Sequence, residues 1–218
     1  VTFSNGATII ASFMFDDCHA LTTVTIPNSV TKIGYGAFRR CENLTSITIP
    51  DSVTEIDSYA FYSCTGLTDI NIPDSVTSIG DNAFNGCTGL TSMTIPSGVT
   101  KISGNMFESC VKLTDVTILG SVTSINVGAF GRCSSLESMT IPNSVTNIWN
   151  LAFDRCSSLK DIRFYGNAPK IADNTFYGVT ATAYYPASDP TWTEEIRQDY
   201  GGTITWVPWN IDDALILS

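Results

Sequence analysis

The sequence predicts an α/β repeat solenoid of about eight coils, with a parallel β-sheet along one face and a cap at its C-terminal end. Three observations lead to this prediction. The seven cysteines of the 218-residue chain are spaced 23 residues apart without exception. Leucine, phenylalanine and isoleucine keep the same step, so every repeat has the same length. Each repeat also contains a stretch in which apolar and polar residues alternate, which is typical of a half-buried strand.

The strand is the first element of each repeat. In the repeat that begins at Leu44, residues 44–49 alternate between apolar and polar side chains and are rich in β-branched residues. Pro50 ends this strand, because proline has no backbone N–H to donate to a neighbouring strand. Residues 51–52 have the composition of a turn. The sequence therefore predicts one short strand and one tight turn in each coil.

A second extended piece and a helical segment complete the repeat. Residues 53–56 read as a second short extended piece, and residues 57–64 are predicted to form one or two helical turns. Asp57 is of the residue type that caps a helix N-terminus, and Gly66 stands where a helix C-terminus favours glycine. Each coil is therefore expected to contain strand, turn, short strand and helix.

Stacking of the repeats follows from their amphipathic strands. One repeat cannot bury its own apolar face, whereas stacked repeats can, with their strands about 4.8 Å apart. The inward positions then form a core ladder of Val24, Ile47, Ile70, Met93, Val116, Met139 and Ile162. The outward positions form two polar columns that include Ser46, Thr48, Asp69, Asn71, Ser92, Thr94, Asp115, Thr117, Ser138, Thr140, Asp161 and Arg163.

The two outward columns allow a purely structural interpretation and a functional one. They are either the solvated face of a soluble sheet, or a long surface that binds a large partner. Asp69, Asp115 and Asp161 occur in every second repeat, so their backbones are about 10 Å apart. That spacing is too wide for a shared metal ion or an acid/base pair. A secondary patch at Trp149 and Leu151 either makes a contact with a partner or packs against the next repeat.

The cysteine series also has alternative interpretations. Buried free thiols that act as small apolar groups explain both the period and the odd count. Disulfides between neighbouring coils would leave one cysteine over. A zinc site needs four ligands around one point, whereas a ladder offers a line. The series, interpreted as a structural ladder, is Cys18, Cys41, Cys64, Cys87, Cys110, Cys133 and Cys156.

Both ends of the array depart from the regular pattern. Residues 1–180 form the repeat array, which begins in mid-repeat at Val1, so we expect a piece of a longer protein. Residues 181–218 are predicted to be a capping segment, with a last strand at 181–186 and a polar helical stretch at 194–200. Its final residues, 211–218, read as a linker or a small closing strand. The tryptophans Trp192, Trp206 and Trp209 are interpreted as a lid on the last coil, or as an aromatic platform for a carbohydrate.

The repeat resembles a known family. Leu-x-x-Ile-x-Ile-Pro, Val-Thr-x-Ile, Ala-Phe and Cys recur in register over about residues 1–178, and this pattern resembles the leucine-rich repeats of BspA-like bacterial surface proteins of the treponemal type. Leu119 and Gly120 depart from it, as does Met106. The resemblance implies a leucine-rich repeat fold with a right-handed superhelix. It also implies a module of a gut bacterium, located on the cell surface or secreted, that adheres to host matrix or cell-surface proteins.

Composition and the lack of catalytic motifs narrow the function classes. The chain has one histidine, His19, and no constellation of convergent titratable groups, so we expect no enzyme activity, no cofactor and no metal. With 11 basic and 21 acidic residues it has no basic stripe for nucleic acid and no apolar run that would insert into a membrane. We expect a monomeric, non-catalytic binding module. The alternative is a structural spacer or stalk that presents another domain.

Overall fold

The chain winds into a solenoid of about nine turns of 23 residues each, with short parallel strands along two of its faces. The computed structural model describes residues 6–210. The predicted repeat solenoid with a parallel sheet is confirmed. The main sheet contains β2 (Thr23–Thr25), β4 (Ser46–Thr48), β7 (Ser92–Ile95), β9 (Asp115–Ile118), β11 (Ser138–Ile141), β13 (Asp161–Phe164), β15 (Thr180–Pro186) and β16 (Thr203–Trp209).

The second extended piece of each repeat forms a ladder of its own, which we call the short-strand ladder. It contains β1 (Ile9–Ile10), β3 (Lys32–Ile33), β5 (Glu55–Ile56), β6 (Ser78–Ile79), β8 (Lys101–Ile102), β10 (Ser124–Ile125), β12 (Asn147–Ile148) and β14 (Lys170–Ile171). Pairing follows the sequence period, since Ser92 faces Asp115 and Ser124 faces Asn147, each pair one coil apart. The main-sheet strands are hydrogen-bonded in the groups β2–β4, β7–β9 and β11–β13–β15–β16.

The prediction of a helical segment in each repeat is wrong. Within residues 6–210 the structure contains no helix, and residues 58–63 and their equivalents form a stack of turns. Alternate N–H groups of this stack donate to the next coil, as Phe38 N does to Ala60 O at 2.8 Å. A helix would need those donors for its own carbonyl four residues back. Positive φ angles at Tyr59 (60°) and Ser63 (56°) also break any helix, because L-residues in a helix have negative φ.

The core is filled by stacked copies of the same side chains. Eight phenylalanine rings, from Phe15 to Phe176, lie one above another with centroids 5.1 to 5.8 Å apart and nearly parallel planes. The inward strand residues and the leucines at Leu44 and Leu67 are buried beside them. This continuous core explains why equal repeat lengths matter: an insertion in one coil would offset every ladder at that level.

A serine hydroxyl ladder joins successive coils at the turn that follows the main strand. Ser52 Oγ donates to Val30 O at 2.6 Å, and Ser75 Oγ donates to Val53 O at 2.7 Å. Ser29 and Ser144 make equivalent bonds. The serine at this turn therefore satisfies a backbone carbonyl of the preceding coil.

We expect Ser75→Ala to lower the free energy of unfolding by about 1 kcal/mol, because it removes one half-buried hydrogen bond and leaves the Val53 carbonyl without this donor. Urea denaturation followed by circular dichroism measures the change. Ser46→Ala is the control, since the Ser46 side chain is exposed on the main sheet and should change stability by less than about 0.5 kcal/mol. Equal effects of the two substitutions would contradict the role of the serine ladder.

The C-terminal end is a further irregular coil rather than the predicted helical cap. Residues 194–200 contain turns and no helix, because β16 pairs in parallel with β15 along its whole length and continues the sheet. Trp192 is buried, with its ring 4.7 Å from that of Phe164 and 5.6 Å from that of Trp206. These tryptophan rings fill the last coil. The expectations for residues 1–3 and 211–218 lie outside the described residues.

Candidate binding surface

The main-sheet columns predicted from the sequence share one outward face. Their side chains alternate with buried neighbours such as Ile47 and Met93. Exposed members are Ser46, Thr48, Asp69, Asn71, Ser92, Thr94, Asp115, Thr117, Ser138 and Thr140, and half-buried members are Asp161 and Arg163. The sheet therefore presents two rows of short hydroxyl and amide side chains with a carboxylate in every second coil.

Charges on this outward face are isolated from one another. Asp115 lies opposite Ser92 and Asp161 lies opposite Ser138 in the strand register. In the part of the chain that the structure describes, no ion pair involves Asp69, Asp115, Asp161 or Arg163. The face consequently offers separate charged groups to a partner.

Tyr165 and Tyr184, which the sequence analysis missed, extend this face at its C-terminal end together with Trp209. The Arg163 guanidinium lies 5.7 Å from the ring centroid of Tyr184, its partner in the strand register. Tyr165 is 48% exposed, and its ring meets the Trp209 ring edge-on at 5.2 Å. Trp209 Nε1 donates to Phe164 O at 3.2 Å, which fixes the indole. Tyr165 directly follows the strand of Arg163, whereas Tyr184 and Trp209 lie one and two strands further on.

Ion pairs concentrate at the N-terminal end, around the turn stack. Arg39 binds Asp16 through two hydrogen bonds of 2.8 and 2.7 Å, and the hydrogen bond from Arg39 lowers the pKa of Asp16. His19 is exposed and lies 3.7 Å from Glu42 and 3.9 Å from Asp17. The single histidine of the chain thus belongs to a solvated charge cluster.

Lys32 joins the short-strand ladder to the turn stack. Its Nζ lies 2.8 Å from Glu55 Oε1 and 3.2 Å from Asp57 Oδ2. The hydrogen bond to Glu55 is the main cause of its raised pKa. Because all three side chains are partly exposed, this cluster contributes little to stability and serves mainly to fix the local register.

The secondary patch at Trp149 and Leu151 is exposed to solvent. Trp149 is 51% exposed and Leu151 is 40% exposed, with a left-handed backbone at Leu151 (φ 61°). Trp149 and Asn147 line both a groove of about 590 Å³ and a smaller one of about 170 Å³. Lys170 connects the smaller groove to a third, of about 670 Å³, which includes Tyr165. The patch therefore lies among adjoining grooves.

The cysteine ladder is inaccessible for most of its length. All seven thiols are free; six are buried, and Cys18 is half-buried. Each buried thiol donates to a phenylalanine carbonyl of the preceding coil, as Cys64 Sγ does to Phe38 O at 3.0 Å. Burial raises the pKa of Cys41 and Cys156 to about 12, and raises that of the thiols between them well above the usual value. These thiols are small apolar core groups with a weak donor.

Residues 6–210 contain neither of two further features. No group of three or more histidine, cysteine, aspartate or glutamate side chains there is arranged to hold a metal ion. No helix there is long and apolar enough to cross a membrane.

Comparison with known proteins gives one family match. The model of the BspA type leucine-rich repeat region matches residues 1–84 and 54–183, in six copies. No curated protein sequence matches the chain significantly.

Several solved structures of bacterial leucine-rich repeat proteins resemble the chain. A leucine-rich repeat protein from Bacteroides ovatus is 25% identical over 95% of this chain and 67% of its own, with a TM-score of 0.61. One from Eubacterium ventriosum is 33% identical over 64% of this chain and 44% of its own, with a TM-score of 0.51. The chain thus spans about two thirds of the first of these relatives and less than half of the second.

Proposed function

Since the chain belongs to the family of BspA type leucine-rich repeats, we propose that it is a non-catalytic binding module of a bacterial surface or secreted protein. In this proposal it recognises a protein, of the host matrix or host cell surface, through the outward face of the main sheet. The family assignment confirms the resemblance drawn from the sequence. The surface location and the adhesive role are what that resemblance implies.

The observation that carries this proposal is the regular outward face itself. Residues such as Thr48, Thr94 and Thr140 repeat at each strand, while their neighbours on the other side of the same strands are buried. Burial of the inward residues fixes the backbone, and β-branched threonine has restricted χ1 rotamers. A partner therefore meets side chains that lose little conformational entropy on binding, which favours association.

The chemistry of the face favours a polar partner surface. Hydroxyl and amide groups with isolated carboxylates suit a wet interface rich in hydrogen bonds, rather than an apolar one. About eight strands at 4.8 Å spacing give a length of roughly 35–40 Å, which a folded protein domain could span. Arg163, stacked on Tyr184, supplies the positive group at the C-terminal end. We expect moderate, salt-sensitive affinity.

The uniformity of the columns supports a second candidate function. Threonine occupies most positions of one column, and dedicated high-affinity sites are expected to vary more. Equal coils with a continuous core also make a stiff rod. A spacer that presents another domain would have these properties without any ligand of its own.

We expect the triple substitution Asp69→Asn, Asp115→Asn and Arg163→Gln to weaken binding to a matrix protein by about tenfold or more, because it removes charges of the outward face that steer and orient the partner. Surface plasmon resonance against immobilised fibronectin, laminin and collagen at two salt concentrations measures the change. Asp51→Asn, Asp74→Asn and Lys101→Gln make a matched control, since they remove the same charges from other exposed positions.

Three results distinguish the candidates. Binding that the triple variant loses and the control keeps supports the outward face as the site. Saturable binding that both variants keep contradicts that face. No binding of the unsubstituted chain to any of the three proteins favours the spacer.

A further inference from the structure

We propose that the groove beside Trp149 is a carbohydrate site, in which a neutral glycan stacks on the indole ring. This site lies on the short-strand ladder, apart from the two outward columns of the main sheet, and its ligand differs from the protein partner proposed above. It is therefore an additional binding activity of the same solenoid.

The Trp149 indole is the largest side chain among its equivalents in the neighbouring coils. Trp149 follows β12 directly, and the coils before it carry Asn126, Ser103 and Gly80 at the same place, while the next coil carries Ala172. None of these side chains is as large as an indole, so the ring stands above its column. Grooves lie against Trp149 on the sides of both neighbouring coils. The ring is available to a flat ligand.

Gly104 has no side chain and so leaves a notch in the wall of the groove. This glycine lies one coil before the exposed Val127. With Trp149 it lines the groove of about 590 Å³, which is the larger of the two grooves that contact Trp149 and is called the larger groove below. A Cβ atom added there would lie 3.5 Å from Asp81 Oδ1 and 3.6 Å from Val127 O, which are ordinary contacts, and its φ is not left-handed. Neither backbone conformation nor packing therefore requires glycine here. Its effect is to leave the groove open.

Hydrogen bonds orient the polar groups around this notch. Gly104 N donates to Asp81 Oδ1 at 2.8 Å, and Ser124 Oγ donates to Asn126 Oδ1 at 3.0 Å. Asn147 Nδ2 donates to Thr146 Oγ1 at 2.8 Å. These bonds fix the side chains. In the described part of the chain they leave the Asn126 amide donor and the second Asp81 carboxylate oxygen for a ligand.

This combination fits a sugar better than other ligands. A pyranose has one face of C–H groups, which packs on an aromatic ring, and hydroxyls that both donate and accept hydrogen bonds. Among the described residues that line the larger groove, Asp81 is the one charged group, so an anionic ligand is disfavoured. Trp149 and Val127 are its large exposed apolar side chains, too few for a lipid or an amphipathic helix.

The neighbouring grooves suggest an oligosaccharide rather than a single sugar. The smaller groove shares Asn147 and Trp149 with the larger one, and shares Lys170 with the groove at Tyr165. A chain of sugar units could follow this series of grooves along the solenoid. We expect affinity to rise with chain length.

The test is isothermal titration calorimetry of the whole chain with cellohexaose, laminarihexaose, mannohexaose and xylohexaose. We expect saturable binding of at least one of them. Trp149→Ala removes the stacking ring and should weaken that binding about tenfold or more. Gly104→Gln fills the notch and should weaken it similarly. Because a side chain fits at Gly104 without strain, the thermal unfolding midpoint of Gly104→Gln should stay unchanged.

Ser78→Gln is the matched control, since it adds a side chain of similar size to an exposed position of the same ladder. Tyr177→Ala removes an equally exposed aromatic ring away from the grooves. Both should bind as the unsubstituted chain does. The proposal is overturned if none of the four hexasaccharides binds, or if Trp149→Ala binds them normally. Binding of a proline-rich peptide at Trp149 in their place would also overturn it.

Discussion

Phe84→Ala is expected to lower the free energy of unfolding by about 3–5 kcal/mol. Phe84 is fully buried, and its ring stacks between Phe61 at 5.4 Å and Phe107 at 5.8 Å. Its removal leaves a cavity against both neighbouring coils. That cavity cannot close easily, because backbone hydrogen bonds such as Phe84 N to Met106 O hold the coils at fixed spacing. Urea denaturation followed by circular dichroism measures the loss.

Phe13→Ala is the matched control for the phenylalanine ladder. The Phe13 ring is 46% exposed and lies in the turn stack, so its loss should cost about 1 kcal/mol or less. If Phe84→Ala does not fold, Phe84→Leu keeps the test possible, with an expected loss between those of the other two variants. A cost for both Phe84 variants that is no larger than that of Phe13→Ala would contradict the stacked core.

The second large effect is a loss of stability above about pH 9. Burial raises the pKa of six thiols, those of Cys41, Cys64, Cys87, Cys110, Cys133 and Cys156, whereas thiols in an unfolded chain ionise near pH 8.5. The unfolded state therefore releases protons that the folded state retains. The stability from these neutral thiols is complete below about pH 8.5 and is lost as the pH rises towards their folded pKa values.

The expected size follows from proton linkage. Well above pH 8.5, each buried thiol adds about 1.4 kcal/mol per pH unit to the loss of stability, so the six together give roughly 8 kcal/mol per unit. Denaturation in the presence of a reductant at several pH values between 7.5 and 10 gives the slope. The double variant Cys110→Ala, Cys133→Ala should lower this slope by about one third, because four of the six buried thiols remain. A flat profile up to pH 10 would contradict neutral buried thiols.

Much of the coil could be predicted from the sequence, because two strict periods determine it. Alternation with a period of two assigns Ile47 to the interior and Ser46 and Thr48 to the exterior, and the structure agrees. The 23-residue period fixes which residues are neighbours, so the phenylalanine stack and the register of the strands followed directly. Both periods express burial, which is the largest energy term in the fold.

The turn stack could not be predicted in the same way, because helix-like composition does not specify where the N–H groups point. Residues 57–64 contain a capping residue and no helix breaker, yet Tyr59 and Ser63 have positive φ. A weak signal was present in other repeats. Gly36, Asn82 and Gly128 stand at the position of Tyr59, and glycine and asparagine tolerate left-handed backbone best. Comparison of that column across repeats would have favoured turns.

The candidate surfaces also differ in how far the sequence could predict them. The outward columns were predictable, because strand alternation alone assigns them. The groove beside Trp149 was not, because it depends on side-chain size in neighbouring coils, above all on Gly104. The residues at the C-terminal end of the main sheet, Tyr165 and Tyr184, were missed for a related reason. Tyr184 falls outside the 23-residue period, because the step from β13 to β15 is 21 residues, from Asp161 to Thr182. Tyr165 stands 23 residues after Pro142, at a position where most repeats have proline.

The central claim is that the repeats form one continuous stack with one free cysteine in each coil. Thiol counting with dithionitrobenzoate, without reductant, tests it most directly. We expect seven reactive thiols in concentrated guanidinium chloride, and rapid reaction of Cys18 alone in the native state, since the other six are buried. Only one, three or five thiols in the unfolded chain, or rapid reaction of several in the native chain, would contradict the ladder and the fold built on it.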